Sequence, residues 1–156
     1  MKKKNVRWIL VIGWMVLIFI FSSQPADVSN ENNKFVIYLF NLLGLDLNSM
    51  LGSLSDFIIR KAAHFIIYLI LYVLVYRAIN IKGNTDIKGF ILPILIVFLY
   101  ACSDEFHQSF VPGRGPAFRD VLVDTSGGLT AFLIMYINVG LKKKPAPPNK
   151  DLTKLK

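Results

Sequence analysis

Four apolar runs dominate this sequence, and polar residues adjoin or enter each run mainly at one of its ends. The runs are Trp8–Phe21, Phe65–Tyr76, Phe90–Cys102 and Val121–Leu141. The first three are shorter than the ~20 residues that span a bilayer core, so each reaches membrane length only by including polar neighbours. Charged groups at membrane depth are costly, and chains tolerate them where they face one another or water. The runs therefore predict transmembrane helices with one polar end each.

The composition also favours a membrane protein over a nucleic-acid-binding one. Of the 156 residues, 54% are hydrophobic and only 18% are charged, whereas soluble domains carry about 25% charge. The net charge of +8 comes mainly from basic clusters that flank the apolar runs, which is typical of membrane topology. We predict a membrane domain at 1–141, with transmembrane helices at about 6–24, 57–79, 89–108 and 120–141, and a disordered basic cytoplasmic tail at 142–156.

The distribution of basic residues predicts the orientation. If both termini are cytoplasmic, 13 of the 18 basic residues and only two of the ten acids lie on the inner side. The positive-inside rule selects this arrangement. We therefore expect a multi-pass protein of the cell membrane whose four polar helix ends meet at the outer face. The first run lacks an Ala-x-Ala cleavage site, so we expect it to stay as a helix rather than be removed as a signal peptide.

The segment between the first two runs, Pro25–Asp56, contains apolar residues at helical spacing, among them Phe35, Leu39 and Leu42. The polar residues at 30–33 offer capping groups just upstream. This pattern predicts a short amphipathic helix on the outer surface, with a loop packed on the bundle as the alternative. The expected fold is all-α: a polytopic four-transmembrane-helix bundle with a short amphipathic outer-face helix.

The polar ends carry the residues that are capable of chemistry. Residues four apart share one face of a helix, as Arg60 and His64 do on the second helix and Asp120 and Asp124 do on the fourth. Small residues after Asp124 allow close helix approach, so the aspartate face is expected to be buried. The candidate ligand-binding residues are Arg60, Lys61, His64, Asp104, Glu105, His107, Gln108, Arg114, Asp120 and Asp124.

These side chains suggest binding roles first. Pro112-Gly113 predicts a turn that holds Arg114 over the site, and arginine can grip a phosphate or carboxylate with two parallel hydrogen bonds. The catalytic candidates, for proton transfer or nucleophilic attack, are His64, His107, Asp104 and Asp124. The alternative is a self-satisfied ion-pair network that only stabilises the bundle.

Histidine and aspartate are also ligand types for zinc or manganese. No diagnostic ligand spacing accompanies them here, so the sequence predicts neither a metal site nor a cofactor.

Four segments carry a family resemblance. They are Phe21-Ser22-Ser23-Gln24-Pro25, Lys61-x-x-His64-Phe65-x-x-Tyr68, Ser103-Asp104-Glu105-x-His107-Gln108-x-Phe110-x-Pro112-Gly113-Arg114 and Asp120-x-x-x-Asp124-x-x-Gly127. Together they resemble the VanZ-like family, over about Trp8 to Leu141. The resemblance implies a small integral membrane protein of the bacterial cell envelope, and the namesake of the family is linked to resistance against teicoplanin, a lipoglycopeptide.

Combined with the charged site, the resemblance implies a protein that binds membrane lipids, a lipid-linked cell-wall precursor or a lipoglycopeptide, and thereby affects teicoplanin susceptibility. Two alternatives stay open. One is a membrane-embedded enzyme acting on lipid phosphates, and the other is a purely structural or partner-binding membrane protein. We expect binding rather than catalysis, and no nucleic-acid partner.

Overall fold

A computed structural model describes residues 2–42, 44, 49, 52–80 and 86–142. Its elements are α1 (Lys2–Ser22), α2 (Ala26–Leu42), a short 3-10 turn (Gly52–Leu54), α3 (Ser55–Ile79), α4 (Ile87–Gln108) and α5 (Phe118–Lys142). Four of these helices, α1, α3, α4 and α5, are long and apolar enough to cross a membrane, which confirms the predicted all-α four-helix bundle. The predicted disordered tail lies outside the described residues, except for Lys142 at the end of α5.

The outer surfaces of the long helices are apolar. On α1, for example, Ile9, Ile12 and Ile20 each expose more than half of their surface. A helix that is apolar nearly all round is typical of a membrane span, because lipid rather than water surrounds it. Only the inward stripes of these helices are buried by protein.

Helix α3 is the centre of the bundle and contacts α1, α2, α4 and α5. Its inward stripe, formed by Tyr68, Leu71, Tyr72 and Val75, is fully buried. The closest helix contact lies between α3 and α5, because a Cβ atom at Gly127 would overlap the backbone carbonyl of Phe65. Small residues at such a crossing let two backbones meet directly, which fixes how α5 is rotated against α3.

The predicted short amphipathic helix is confirmed as α2, but its start differs from the expectation. The helix begins at Ala26, since the Pro25 carbonyl accepts the Ser29 N–H at 3.0 Å. The polar residues at 30–33 therefore lie inside the helix instead of capping it. A sequence search for capping side chains missed this start because a backbone carbonyl and the fixed proline φ initiate the helix.

The two ends of the bundle differ in composition. At one end, which we call the polar end, α1 and α4 finish and α3 and α5 begin; Ser23 meets His107 there, and Lys61 meets Asp120. At the opposite end, the far end, Arg7 Nη1 of α1 donates to the carbonyl of Arg77 on α3. All ten candidate site residues belong to the polar half of the molecule.

Candidate functional site

The α3–α5 crossing at Gly127 brings together the first polar pair of the site. His64 precedes Phe65 on α3, and Asp124 lies one turn before Gly127 on α5. As a result, His64 Nδ1 lies 3.2 Å from Asp124 Oδ1. Asp124 is 2% exposed, so this carboxylate depends on protein groups rather than on water.

One turn nearer the polar end, the same two helices form a second pair. Lys61 Nζ lies 2.5 Å from Asp120 Oδ1, and both side chains are mostly buried. The spacing of three and four residues on each helix places the two pairs in one row along the α3–α5 interface. Both acids of α5 are therefore paired with basic side chains of α3.

A second row of contacts connects α4 to the loop before α5. Gln108 Nε2 donates to Asp104 Oδ2 at 3.1 Å, and Gln108 Oε1 accepts from Arg114 Nη1 at 3.3 Å. The Gln108 amide thus separates the guanidinium from the buried carboxylate. Arg114 reaches Asp104 only through this neutral group.

The loop presents Arg114 through a tight turn. The Arg114 N–H donates to the Val111 carbonyl at 3.1 Å, and Gly113 has φ +74°. Proline followed by a residue of positive φ is the arrangement of a type II turn, which favours glycine at that position. The Pro112-Gly113 signal in the sequence predicted this turn.

Two arginines of the site form no ion pair with any residue that the structure describes. Among the described residues, the ion pairs of the polar half are Lys34–Glu31, Lys61–Asp120 and His64–Asp124, and none involves Arg60 or Arg114. Arg114 Nε is buried without a hydrogen-bond partner. Burial and the nearby Arg60 guanidinium both lower the pKa of Arg114. Asp104, Glu105 and Asp120 act in the opposite direction, but none of them forms an ion pair with either arginine among the described residues.

Two candidate residues make contacts that the sequence did not indicate. His107 turns to α1, where its Nε2 lies 3.0 Å from Ser23 Oγ and its ring packs on Phe19. Glu105 accepts the backbone N–H of Ala117, just before α5. Both contacts hold neighbouring elements in place. Glu105 and His107 therefore contact other elements and are not part of the row of pairs along the α3–α5 interface.

The deepest part of the site is a cluster that we call the HDD cluster, formed by His64, Asp104 and Asp124. One nitrogen or oxygen atom from each side chain lies within 4.8 Å of the other two. The hydroxyl of Tyr68, which was not among the candidate residues, lies beside Asp104 and has no satisfactory hydrogen-bond geometry. The sequence signal for Tyr68 was its position, four residues after His64 on the same helical stripe.

Eight of the ten candidate residues thus fall into three groups. The HDD cluster lies deepest, the pair Lys61–Asp120 lies beside it, and Arg60, Gln108 and Arg114 lie towards the polar end. Glu105 and His107 contact other elements. Ser22 and Ser23, at the end of α1, also belong to this half, and Ser22 Oγ is buried without a partner. Their sequence signal was the polar extension of the first apolar run.

Comparison with known proteins gives a family and no closer relative. The model of the VanZ/LLP1 family matches residues 7–139, which is most of the chain. No curated protein and no solved structure matches the chain significantly.

Proposed function

The chain belongs to the VanZ/LLP1 family, and from that premise we propose that its polar end binds the phosphate or carboxylate group of an envelope lipid or a lipid-linked cell-wall component. Occupation of this site would change the susceptibility of the cell to glycopeptides such as teicoplanin. The ligand-binding groups in this proposal are Arg60 and Arg114, with Lys61, Gln108 and the acids orienting them.

The observation that carries the proposal is that neither Arg60 nor Arg114 forms an ion pair within the described part of the chain. A purely structural network would pair its cations with its acids, because an uncompensated charge that loses water is costly. Here Lys61 and His64 take the acids of α5, while Arg60 and Arg114 repel each other. An anion between two guanidinium groups would relieve that repulsion and accept bidentate hydrogen bonds.

The surroundings of the arginines suit a ligand that carries an apolar chain. Three phenylalanines of the polar half, Phe106, Phe110 and Phe118, are each about 70% exposed. On α2, Phe35, Tyr38 and Leu42 also expose more than half of their surface. Aromatic and apolar groups beside cationic ones are typical of surfaces at the boundary between headgroups and acyl chains. A lipid could therefore place its charged group at the arginines and its chain among these side chains.

The orientation of the site is part of the proposal. The polar end faces the outside and both termini the cytoplasm, as 13 of 18 basic residues and the positive-inside rule favour. The test is an Arg114→Cys variant in a Cys102→Ala background, since Cys102 is the only native cysteine. A membrane-impermeant thiol reagent should label it on intact cells, and a matched Lys4→Cys variant only after permeabilisation. The reverse labelling pattern would contradict the orientation.

The binding proposal is tested with Arg114→Ala and a matched variant, Arg119→Ala, which removes an exposed arginine near the same loop. Mass spectrometry of lipids that co-purify with each protein should show that Arg114→Ala loses bound anionic lipid roughly tenfold or more, the loss expected for a charged hydrogen bond. Arg119→Ala should retain it. Arg114→Lys should recover part of the binding, because it keeps the charge without the planar fork.

In cells, strains that carry the two alanine variants should differ in teicoplanin susceptibility, although the amounts of the two proteins in the membrane are equal. Susceptibility in the Arg114→Ala strain should match that of a strain lacking the protein, and the Arg119→Ala strain should match wild type. Full function of Arg114→Ala, or loss of function only through loss of folded protein, would return the site to a structural role.

The His64–Asp124 pair favours a second candidate function, an enzyme that acts on lipid phosphates. A histidine held against a carboxylate is the arrangement that orients a general base. Purified wild-type protein would then release phosphate from a lipid phosphate mixed into micelles, and His64→Gln would not, while both bind the lipid equally. Equal, background-level release by both proteins would exclude this candidate for that substrate.

A further inference from the structure

The HDD cluster presents a charge problem that the arginines do not solve. Asp104 and Asp124 are 3% and 2% exposed, and they lie on different helices that converge on His64. At 1.5 Å per residue, Asp124 lies about 9 Å inside α5. Two carboxylates at this depth need a compensating positive charge.

The described residues supply little of that charge. Lys61 is paired with Asp120, and Arg114 is separated from Asp104 by the Gln108 amide. His64 is the single side chain that forms an ion pair with either carboxylate among the described residues. One histidine cannot balance two carboxylates, even when it is protonated.

Buried polar atoms at the cluster have unused capacity for a ligand. Asp104 Oδ1 is buried without a hydrogen-bond partner, and so is the hydroxyl of Tyr68 beside it. The Tyr68 hydroxyl is close enough to interact with Asp104, but it makes no well-formed hydrogen bond. Most buried polar atoms in proteins have a partner, so Asp104 Oδ1 is open to another ligand. A cation at the cluster would coordinate the free carboxylate oxygen directly.

We propose that His64, Asp104 and Asp124 bind a divalent transition-metal ion inside the bundle. One imidazole and two carboxylates match the preferences of Zn²⁺, with Mn²⁺ as the second ion that suits this set. Ligand atoms of a tetrahedral zinc site lie roughly 3.3–3.6 Å apart, given bonds of about 2.0–2.2 Å. The 3.2 Å contact between His64 and Asp124 is already close to this spacing, and a carboxylate oxygen of Asp104 lies within 4.8 Å of both ligand atoms.

Three protein ligands leave a fourth position open. Zinc sites of this kind hold a water molecule or a substrate atom there, whereas structural zinc sites have four protein ligands. The ion would neutralise Asp104 and Asp124, so Arg60 and Arg114 would not be needed to compensate these two acids. The metal site does not rest on the binding of an anion at the arginines, and either site can exist without the other.

The test is metal analysis of the full chain, purified in detergent through a tag that contains no histidine. Mass spectrometry of the wild-type protein, after incubation with Zn²⁺ or Mn²⁺ and removal of the unbound ion, should find about one ion per chain. His64→Gln and Asp104→Asn should each retain roughly a tenth or less. His107→Gln removes the other histidine of the protein, whose contacts are on α1, and should retain the wild-type amount.

A second measurement does not depend on any variant being folded. Co²⁺ added to the metal-free wild-type protein should give the visible absorption of a low-symmetry, four-coordinate site, and Zn²⁺ should abolish it by displacement. Wild-type protein that binds no ion and gives no such absorption would overturn the proposal. Equal retention by His64→Gln and wild type, or equal loss by His107→Gln and His64→Gln, would also overturn it.

The same assay distinguishes this inference from the proposed function. Arg114→Ala should bind the metal ion as wild type does, although it loses anionic lipid. Loss of metal binding in Arg114→Ala would contradict the separation of the two sites. Asp104→Asn should lose the ion whether or not any lipid co-purifies.

Discussion

The far end and the polar end of the bundle use buried polar groups in opposite ways. At the far end, Asn80 Nδ2 donates to the carbonyls of Tyr76 and Gly89. Pro93 on α4 has no N–H to offer the Gly89 carbonyl, so the bond from Asn80 replaces the missing helical one. The Tyr72 hydroxyl likewise donates to the Phe90 carbonyl. Each of these side chains donates a hydrogen bond to a backbone carbonyl and thereby stabilises the packing of α3 against α4.

The polar end keeps buried polar atoms without partners. Those found in the described part of the chain are Ser22 Oγ, Asp56 Oδ1, Tyr68 Oη, Asp104 Oδ1, Arg114 Nε and Thr125 Oγ1. They lie in the loop at the polar end or between that end and the middle of their helices, and none of these six lies at the far end. Unpartnered groups cost stability, so their concentration at one end suggests that this end is built to bind and the other to hold the helices together.

The largest expected effect concerns the helix crossing that positions the HDD cluster. Gly127→Ala should lower the free energy of unfolding by about 3 kcal/mol or more, because the added Cβ overlaps the α3 backbone and forces the helices apart. Gly140→Ala, on the same helix with open space around it, should be neutral or slightly stabilising. Unfolding in detergent measures both, and equal stability of the two variants would show that the close contact is dispensable.

The second effect tests the far end. Asn80→Ala should lower the free energy of unfolding by about 1–3 kcal/mol, because the Gly89 carbonyl loses its donor, whereas the Tyr76 carbonyl keeps the backbone N–H of residue 80. Lipid binding at the polar end should stay unchanged. Asn138→Ala, at an exposed position on α5, is the control and should have little effect. A loss of lipid binding in Asn80→Ala that exceeds its loss of folded protein would mean that the two ends are not separate.

An intermediate effect concerns the paired part of the polar end. Lys61→Met leaves the mostly buried Asp120 without its cation, and we expect a loss of about 1–2 kcal/mol in the free energy of unfolding, between the values for exposed and buried pairs. Lys34→Met breaks an exposed pair with Glu31 and should leave the thermal midpoint unchanged. If both variants melt like wild type, the Lys61–Asp120 pair does not stabilise the bundle.

The smallest effect on stability should come from Arg114→Ala. The variant loses one hydrogen bond to Gln108 and the attraction of nearby acids, but it also loses the burial of a charge and the repulsion from Arg60. The free energy of unfolding should therefore change by less than about 0.5 kcal/mol. Thermal midpoints of Arg114→Ala and Asn80→Ala, measured under the same conditions, compare the contributions of the polar end and the far end to stability directly. A loss as large as that of Asn80→Ala would place Arg114 among the groups that hold the fold together.

Much of the fold was predictable from the sequence because lipid imposes simple constraints. A membrane-spanning segment needs about 20 mostly apolar residues, and its backbone groups must hydrogen-bond within the segment. The four apolar runs of the sequence therefore predicted the four long helices. The amphipathic spacing in the loop likewise predicted α2, although not its start at Ala26. The Pro112-Gly113 pair predicted the turn before Arg114, since few backbone conformations suit those two residues.

The partner of each polar side chain was decided by the tertiary structure. The sequence placed both histidines and four acids in one half of the molecule, but it did not indicate that His64 meets Asp124 whereas His107 turns to Ser23. That choice depends on how each helix is rotated about its axis, and the rotation is set by long-range packing such as the contact between Gly127 and Phe65. Helical periodicity tells which residues share a face, but only the packed bundle determines what that face meets.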